Sequence, residues 1–245
     1  MFESGFRRRI LEKAFEKKSR VILAFDEHDG EAALSRLGAL CESLSEHVVG
    51  IKIGLPTMLS TGLNSLSMLV KRFKEDYVFI SDVKMADVSH VNSLTSRLLY
   101  DAGFDAVISH GFIGYEGGLE GLFNEAKRLS KGVIIVVSMS HAGSRDFIDQ
   151  VADRLVQIAL KHGADGVVAP ATRLRIVEEV RKTAGSSLLI LTPGVGAQGA
   201  PYGAGVSAGA DFEIIGRSIT GSANPVEKAL EVKREHGRIL GQRAC

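Results

Sequence analysis

Cysteine is nearly absent from this chain: Cys41 and Cys245 are the only two in 245 residues. Two cysteines cannot make a disulfide framework, which points to a reducing compartment, the cytoplasm. Proline is scarce as well, at five residues. No Pro/Ser-rich tract, low-complexity segment or block of one charge divides the chain, so residues 1–245 read as one domain. Surplus charge is missing too, since 30 Lys and Arg against 29 Asp and Glu leave a net charge of +1. Bulk binding to nucleic acid or to an anionic membrane needs a basic surplus, so neither partner is expected. No apolar run approaches the ~20 residues of a membrane span. The N-terminal MFESGFRRRILEKAFEKK has no apolar h-region and does not read as a secretory signal.

Core-forming material is plentiful. Hydrophobic residues make up 45% of the chain, which excludes disorder. Eight short apolar runs recur: VILAF from Val21, VVGIKI from Val48, YVFISDV from Tyr77, AVIS from Ala106, VIIVVS from Val133, GVVA from Gly166, LLIL from Leu188 and FEIIG from Phe212. Each is too short for a helix and almost wholly apolar, as a strand covered on both faces must be. Between them lie stretches with helical spacing, such as Val151, Leu155, Ile158 and Ala159. Strands alternating with helices at a period of roughly 27 residues predict a closed parallel (β/α)8 barrel over residues 21–241. Residues 6–18 read as an extra N-terminal helix that covers the barrel bottom. Their Arg7-Arg8-Arg9 run is either a solvated helix face or an anion-binding patch.

A barrel builds its active site at the C-terminal ends of its strands. The third run ends in ISDVKMADV, with Asp82 and Lys84 two apart on one strand face and Asp87 in the loop. The second run adds Lys52, and LAFDEHDG after the first adds Asp26. Spacing alone leaves two readings, a catalytic cluster and a structural ion-pair network. A lysine between carboxylates stays protonated and suits a general acid better than a base. Ile80 shares the inward face and could line an apolar pocket. After the seventh run, Gly194-x-Gly196-x-x-Gly199 matches a dinucleotide fingerprint, but that motif belongs after the first strand of a doubly wound fold. A phosphate site at the seventh and eighth strand ends explains the glycines better, with Gln198, Gly216 and Arg217 as its polar groups. A plain surface loop is the alternative. Ser140 and His141, after the fifth run, could contact a substrate ring, although a lone loop histidine is more often a bystander. Asp26, His28 and Asp29 only imitate a metal site, and no H-x-H or H-E-x-x-H spacing occurs.

Taken together these residues resemble the orotidine 5′-monophosphate decarboxylase family. The carriers are D-x-K-x-x-D at Asp82, Lys84 and Asp87, K-I-G at Lys52, M-S-H from Met139, P-G-V-G-A-Q-G from Pro193 and G-R-S-I from Gly216. They fall in the family's order from Asp26 to Arg217, and the short loops are similar to its compact archaeal and bacterial form. The resemblance implies a TIM barrel that converts orotidine 5′-monophosphate to uridine 5′-monophosphate, the last step of de novo pyrimidine biosynthesis, without metal or cofactor. It implies that Asp26 and Lys52 hold ribose hydroxyls, and that Lys52 also joins the charged chain of Asp82, Lys84 and Asp87. Asp82 would sit against the substrate carboxylate, and Lys84 would protonate C6. Asp87 would reach into a neighbouring subunit's site, which makes the enzyme a homodimer with shared active sites. Ser140 would contact the pyrimidine. Gln198, Gly216 and Arg217 would hold the 5′-phosphate, with Pro193 in the same substrate-binding set.

The chain departs from the family pattern at Val91, where threonine is usual, and at Val88-Ser89, where Ile-Pro is common. The first change removes a hydroxyl offered to the ligand across the dimer interface. One rival is a magnesium-dependent 3-hexulose-6-phosphate synthase-like aldolase, which shares D-x-K-x-x-D but carries an acidic residue where Lys52 stands. Magnesium wants oxygen ligands, so a lysine there counts against it. The other rival is a non-catalytic barrel that binds a nucleotide or sugar phosphate.

Overall fold

The computed structural model describes residues 5–243. Cys245, together with residues 1–4 and 244, lies outside them. In chain order the elements are α1 (Gly5–Lys17), β1 (Val21–Phe25), α2 (Glu31–Leu44), β2 (Gly50–Gly54), α3 (Leu55–Thr61), α4 (Leu63–Arg72), β3 (Val78–Met85), α5 (Ser89–Asp101), β4 (Ala106–His110), α6 (Glu120–Leu129) and β5 (Gly132–Val136). They continue with α7 (Ala152–His162), β6 (Gly166–Val168), α8 (Leu174–Ala184), β7 (Leu189–Thr192), α9 (Ala204–Ser207), β8 (Phe212–Ile215), α10 (Arg217–Thr220) and α11 (Pro225–Arg243). The strands pair in parallel in sequence order, and β8 closes on β1 through Ile22 and Ile214. Each of the eight apolar runs overlaps one of these strands, with bounds shifted by one or two residues at most ends.

Alternation along the strands divides the core in two. Ile22, Val78, Ile80, Ile108, Ile134, Leu191 and Phe212 fill the barrel interior. Leu23, Phe25, Ile51, Phe79, Val107 and Ile190 face outward beneath the helices. Burying both faces removes each such side chain from water, at about 1.5–3 kcal/mol per large residue. This is why the runs are apolar throughout rather than alternating.

Helix α1 spans residues 5–17 against the 6–18 expected, and it closes the barrel bottom. Phe6 and Ile10 on one of its faces are buried among the interior residues. The arginine run is split in use. Arg7 donates to the carbonyls of Ser186 (2.7 Å) and Ser187 (3.1 Å). Arg9 pairs with Asp105 at 2.5 Å and reaches the Tyr77 carbonyl at 3.3 Å. Only Arg8 is exposed, 3.8 Å from Glu12 one turn on. Arg7 and Arg9 therefore staple α1 to the bottom loops, a role that neither reading of the run anticipated.

The same end of the barrel carries an internal repeat. Asp105, Asp165 and Asp211 each stand one residue before an even-numbered strand. Each accepts, at 2.8 Å, a backbone N–H of the preceding odd strand: Phe79, Val133 and Ile190 respectively. These carboxylates satisfy donors at strand starts that the barrel would otherwise bury unpaired.

Candidate active site

The C-terminal strand ends open into a cavity of about 560 Å³. Ala24, Ile108, Val136, Val168 and Ile214 line it and belong to the interior core, so the top of that core is the cavity's apolar floor. Ile80 is not at the surface of this cavity. It is fully buried in the interior core, and Ile108 and Ile214 are the isoleucines that line the cavity.

One side is charged. The Lys52 ammonium lies 2.8 Å from Oδ2 of Asp82 and 3.2 Å from Oδ1 of Asp26. The Lys84 ammonium lies 2.8 Å from Oδ1 of Asp82. Asp82 therefore bridges two lysines, one through each oxygen. Lys52 and Asp82 are buried, with side chains 7% and 9% exposed, whereas Lys84 and Asp26 stand at 37% and 55%. Burial alone would lower the lysine's pKa, but the Asp82 and Asp26 carboxylates outweigh it and hold Lys52 above the ordinary lysine value. Burial alone would likewise raise Asp82, but Lys52 and Lys84 hold it below the usual carboxylate range. Both groups are charged at neutral pH. Gly54 of the K-I-G motif has a packing reason, since a Cβ there would stand 1.7 Å from Oδ1 of Asp26.

The expected sharing of one strand face by Asp82 and Lys84 holds at the ammonium but not in the backbone. Ser81 pairs with Val107 and Met85 with Ser109, so β3 runs through a bulge while β4 advances only two positions. Lys84 sits within it at φ +47°, in the left-handed region. Ser109 closes the bulge by donating its hydroxyl to the Met85 carbonyl at 2.8 Å. The bulge turns Lys84 back to Asp82 while keeping it partly open to the cavity.

Asp87 does not join this cluster. It is exposed and outside the cavity lining, and Oδ1 accepts the Val88 N–H at 2.7 Å.

Ser140 lines the cavity beside Ser138 and Met139, while His141 is exposed and outside it. A partly buried network fixes this loop. Asp149 accepts the hydroxyls of Ser138 (2.6 Å) and Ser144 (2.5 Å) and pairs with Arg173 at 2.7 Å. Arg173 also donates to the carbonyls of Met139 (2.6 Å) and His141 (2.5 Å). Sequence reasoning missed Arg173 and Asp149. Arg173 follows the β6 run in VVAPATR, so extending the search for charge at strand ends to the sixth strand would have found it. Glu27 and Thr220 also line the cavity and were not singled out.

Opposite the charged side lie Pro193, Gln198, Gly216 and Arg217. Gly194, Gly196 and Gly199 all have positive φ, at +96°, +71° and +99°. A non-glycine residue would be strained at each position. The loop is pinched by Gly196 N–H to Ala200 O at 2.8 Å and tied to β8 by Ala197 N–H to Ser218 Oγ at 3.0 Å. Only the four-residue α9 follows it, not the long crossover helix of a dinucleotide turn. Among the described residues no three His, Cys, Asp or Glu are grouped to hold a metal ion, Asp26, His28 and Asp29 included.

Comparison with known proteins shows the family. Residues 19–232 match the profile of the orotidine 5′-phosphate decarboxylase / HUMPS family. The chain is 39% identical over 220 residues to the orotidine 5′-phosphate decarboxylase of Methanosarcina acetivorans, covering 90% of this chain and 96% of that protein. It is 40% identical over 212 residues to that of Aeropyrum pernix, covering 86% of each. Among solved structures, the Methanocaldococcus jannaschii orotidine 5′-monophosphate decarboxylase complexed with inhibitor BMP superposes with a TM-score of 0.80 at 33% identity, covering 89% of this chain and 98% of that one. The Sulfolobus solfataricus enzyme gives 0.78 at 30%, covering 91% and 99%. Since the matched span encloses all eight strands and every cavity residue named above, the chain belongs to the orotidine 5′-phosphate decarboxylase / HUMPS family.

Proposed function

We propose that this chain decarboxylates orotidine 5′-monophosphate to uridine 5′-monophosphate in de novo pyrimidine biosynthesis, with Lys84 as proton donor and without metal or cofactor. The observation that carries this reading is Asp82 bridging Lys52 and Lys84 at one side of the cavity, with Gln198 and Arg217 opposite. The relatives' activity agrees with it.

The phosphate binds at Gln198, Gly216 and Arg217, and Pro193 borders the same end. Asp26 and Lys52 take ribose hydroxyls. The pyrimidine lies over the apolar floor against Ser140, with its C6 carboxylate beside Asp82. When the C6–carboxylate bond breaks, carbon dioxide leaves and the electron pair stays on C6. No ring π-system absorbs that pair, so a fixed ammonium beside it is the main available stabilisation. Lys84 supplies the ammonium and then transfers a proton to C6, and water restores the proton through its exposed side. Binding energy from the distant phosphate can be used at this centre.

Metal independence has support in the donor set. The Lys52 ammonium already stands between the Asp26 and Asp82 carboxylates, in the place a divalent cation would need, which speaks against the aldolase reading. A homodimer with shared sites is the second part of the proposal. Asp87 is outside its own cavity, and exposed Val88, Leu94, Leu98 and Phe112 lie on or near α5 and the end of β4. Exposed large apolar side chains gathered in one region of the surface favour an interaction surface there. The same reading takes the chain as one barrel unit working in the cytoplasm; among the described residues no helix is long and apolar enough to cross a membrane.

The test is loss of orotidine 5′-monophosphate ring absorbance, with and without chelator. Equal turnover in both is expected. Turnover restored only by magnesium overturns metal independence, and turnover of a hexulose phosphate with magnesium but none of orotidine 5′-monophosphate moves the chain to the aldolase branch. Tight nucleotide binding without turnover makes it a binding barrel.

A further inference from the structure

Glu213 is a charge that the proposed chemistry does not use. It lies on β8 between Phe212 and Ile214, which face the barrel interior, so its own side chain points outward. It is 0% exposed. Its carboxylate accepts the backbone N–H of Gly203 at 2.9 Å, of Gly205 at 2.9 Å and, more loosely, of Val206 at 3.4 Å. The ring Nε2 of His236, on α11, completes the set at 2.8 Å. His236 is itself buried, and its Nδ1 has no partner. A proton on Nε2 makes the ring a donor to Glu213, whereas one on Nδ1 would leave a buried N–H unsatisfied.

The position of these contacts gives them a consequence. Gly203 and Gly205 end the loop that begins at Pro193 and carries Gln198. Gly216 and Arg217 follow Glu213 on the same strand. One side chain thus joins the two segments that line the cavity's end opposite the lysine–aspartate cluster. The loop stem has no slack, because a Cβ on Gly205 would come within 2.2 Å of Thr192 Cγ2. The other tie between the segments, Ala197 to Ser218, is exposed and weaker in a competing solvent.

We propose that Glu213, held by His236, is a positioning residue for phosphate recognition: it fixes the stem of the β7–α9 loop against the end of β8. This rests on the decarboxylase reading, which assigns the phosphate to that end. Glu213→Gln is nearly isosteric but leaves one acceptor oxygen and turns an NH2 toward two N–H donors.

The readout is kcat/KM for orotidine 5′-monophosphate divided by kcat/KM for phosphate-free orotidine. A misfolded fraction cancels in this ratio, so a merely structural defect leaves it alone. Glu213→Gln should lower it at least fivefold, chiefly through KM of the phosphorylated substrate. His236→Leu, which removes one donor, should lower it about two- to threefold. His236→Gln, which can return an N–H near the Nε2 position, should restore it. An unchanged ratio in both Glu213→Gln and His236→Leu overturns the proposal. If Glu213→Gln yields too little protein, the His236 pair decides alone. A wild-type chain inert on both substrates would instead sink the decarboxylase reading. Calorimetric titration with uridine 5′-monophosphate then decides: at least fivefold weaker binding by Glu213→Gln, or by His236→Leu relative to His236→Gln, supports the latch, and equal binding refutes it.

Discussion

Lys84 reaches Oδ1 of Asp82 at 2.8 Å from a residue whose own backbone is left-handed, at φ +47°. The contact is made from within the β3 bulge, where the strand register shifts between Ser81 and Met85. Backbone strain of this kind persists where surrounding structure over-determines it, and it clusters at functional sites.

Two substitutions at Lys84 separate its chemistry from its backbone. Lys84→Ala should nearly abolish turnover, because it removes both the proton donor and the cation nearest C6. Retention of more than about a tenth of wild-type kcat would remove Lys84 from the proton-donor role. Lys84→Gly loses the same ammonium but adopts positive φ freely. It should be more stable than Lys84→Ala by about 1–2 kcal/mol in urea unfolding. Equal stabilities would show that the bulge stores no strain.

The bridge at Asp82 makes a pH-dependent contribution whose sign is fixed by its direction of shift. Asp82 is held below the usual carboxylate range, so its ionised form stabilises the fold above the unfolded pKa of about 3.9. That contribution is lost as pH falls through the lower, folded value. Lys52 is held above the ordinary lysine value. Its contribution is complete below about 10.4 and is lost as pH rises through the folded value. Asp82→Asn should therefore be less stable than wild type from about pH 5 to 9, and the gap should close on acidification below about pH 4. Urea unfolding across this range checks it; a gap that widens in acid contradicts the pairing.

Arg217 lines the cavity, and its guanidinium has no hydrogen bond or ion pair within the chain among the described residues. Its work is therefore expected to be for a ligand. Arg217→Ala should weaken binding of the phosphorylated substrate by roughly 2–4 kcal/mol. It should change unfolding stability by no more than about 0.5 kcal/mol. A large loss of stability with unchanged KM would make Arg217 a structural residue.

Much of this arrangement was legible because a parallel barrel is buried on both faces of every strand. Burial on both sides writes each strand as an apolar run, so charge at the end of a run stands out, as with Lys52, Asp82 and Lys84. The order of the strands then places those charges side by side. What was not legible depends on tertiary contacts. The β3 bulge leaves no mark in ISDVKMADV, because an alternating reading also unites Asp82 with Lys84. Arg173 acts largely through backbone carbonyls of Met139 and His141, which have no side-chain signature. Glu213 was hidden inside FEIIG as one polar residue in an apolar run, with its partner His236 a helix away. Arg7 and Arg9 were hidden in the opposite way, as a charged stretch whose acceptors are distant loop carbonyls and Asp105.

The position of Asp87 leads to the most demanding test. Its carboxylate is exposed, outside the cavity of its own chain, and accepts only a local N–H from Val88. In the shared-site dimer proposed above, Lys84 and Asp87 of any one site come from different subunits related by a two-fold axis. Lys84→Ala and Asp87→Ala should each be nearly inactive as homodimers. In a mixed dimer, one site collects both defects and the other collects neither. Random reassortment makes about half of the dimers mixed, and each has one intact site of two, so activity should recover to about a quarter of wild type. The two variants are unfolded and refolded together, and a tag on one allows the mixed species to be isolated. The isolated species should then show about half of wild-type activity per dimer. Mixed dimers that remain inactive would mean that Asp87 serves the site of its own subunit, reached by a movement of the β3–α5 loop, and the shared-site arrangement would fail.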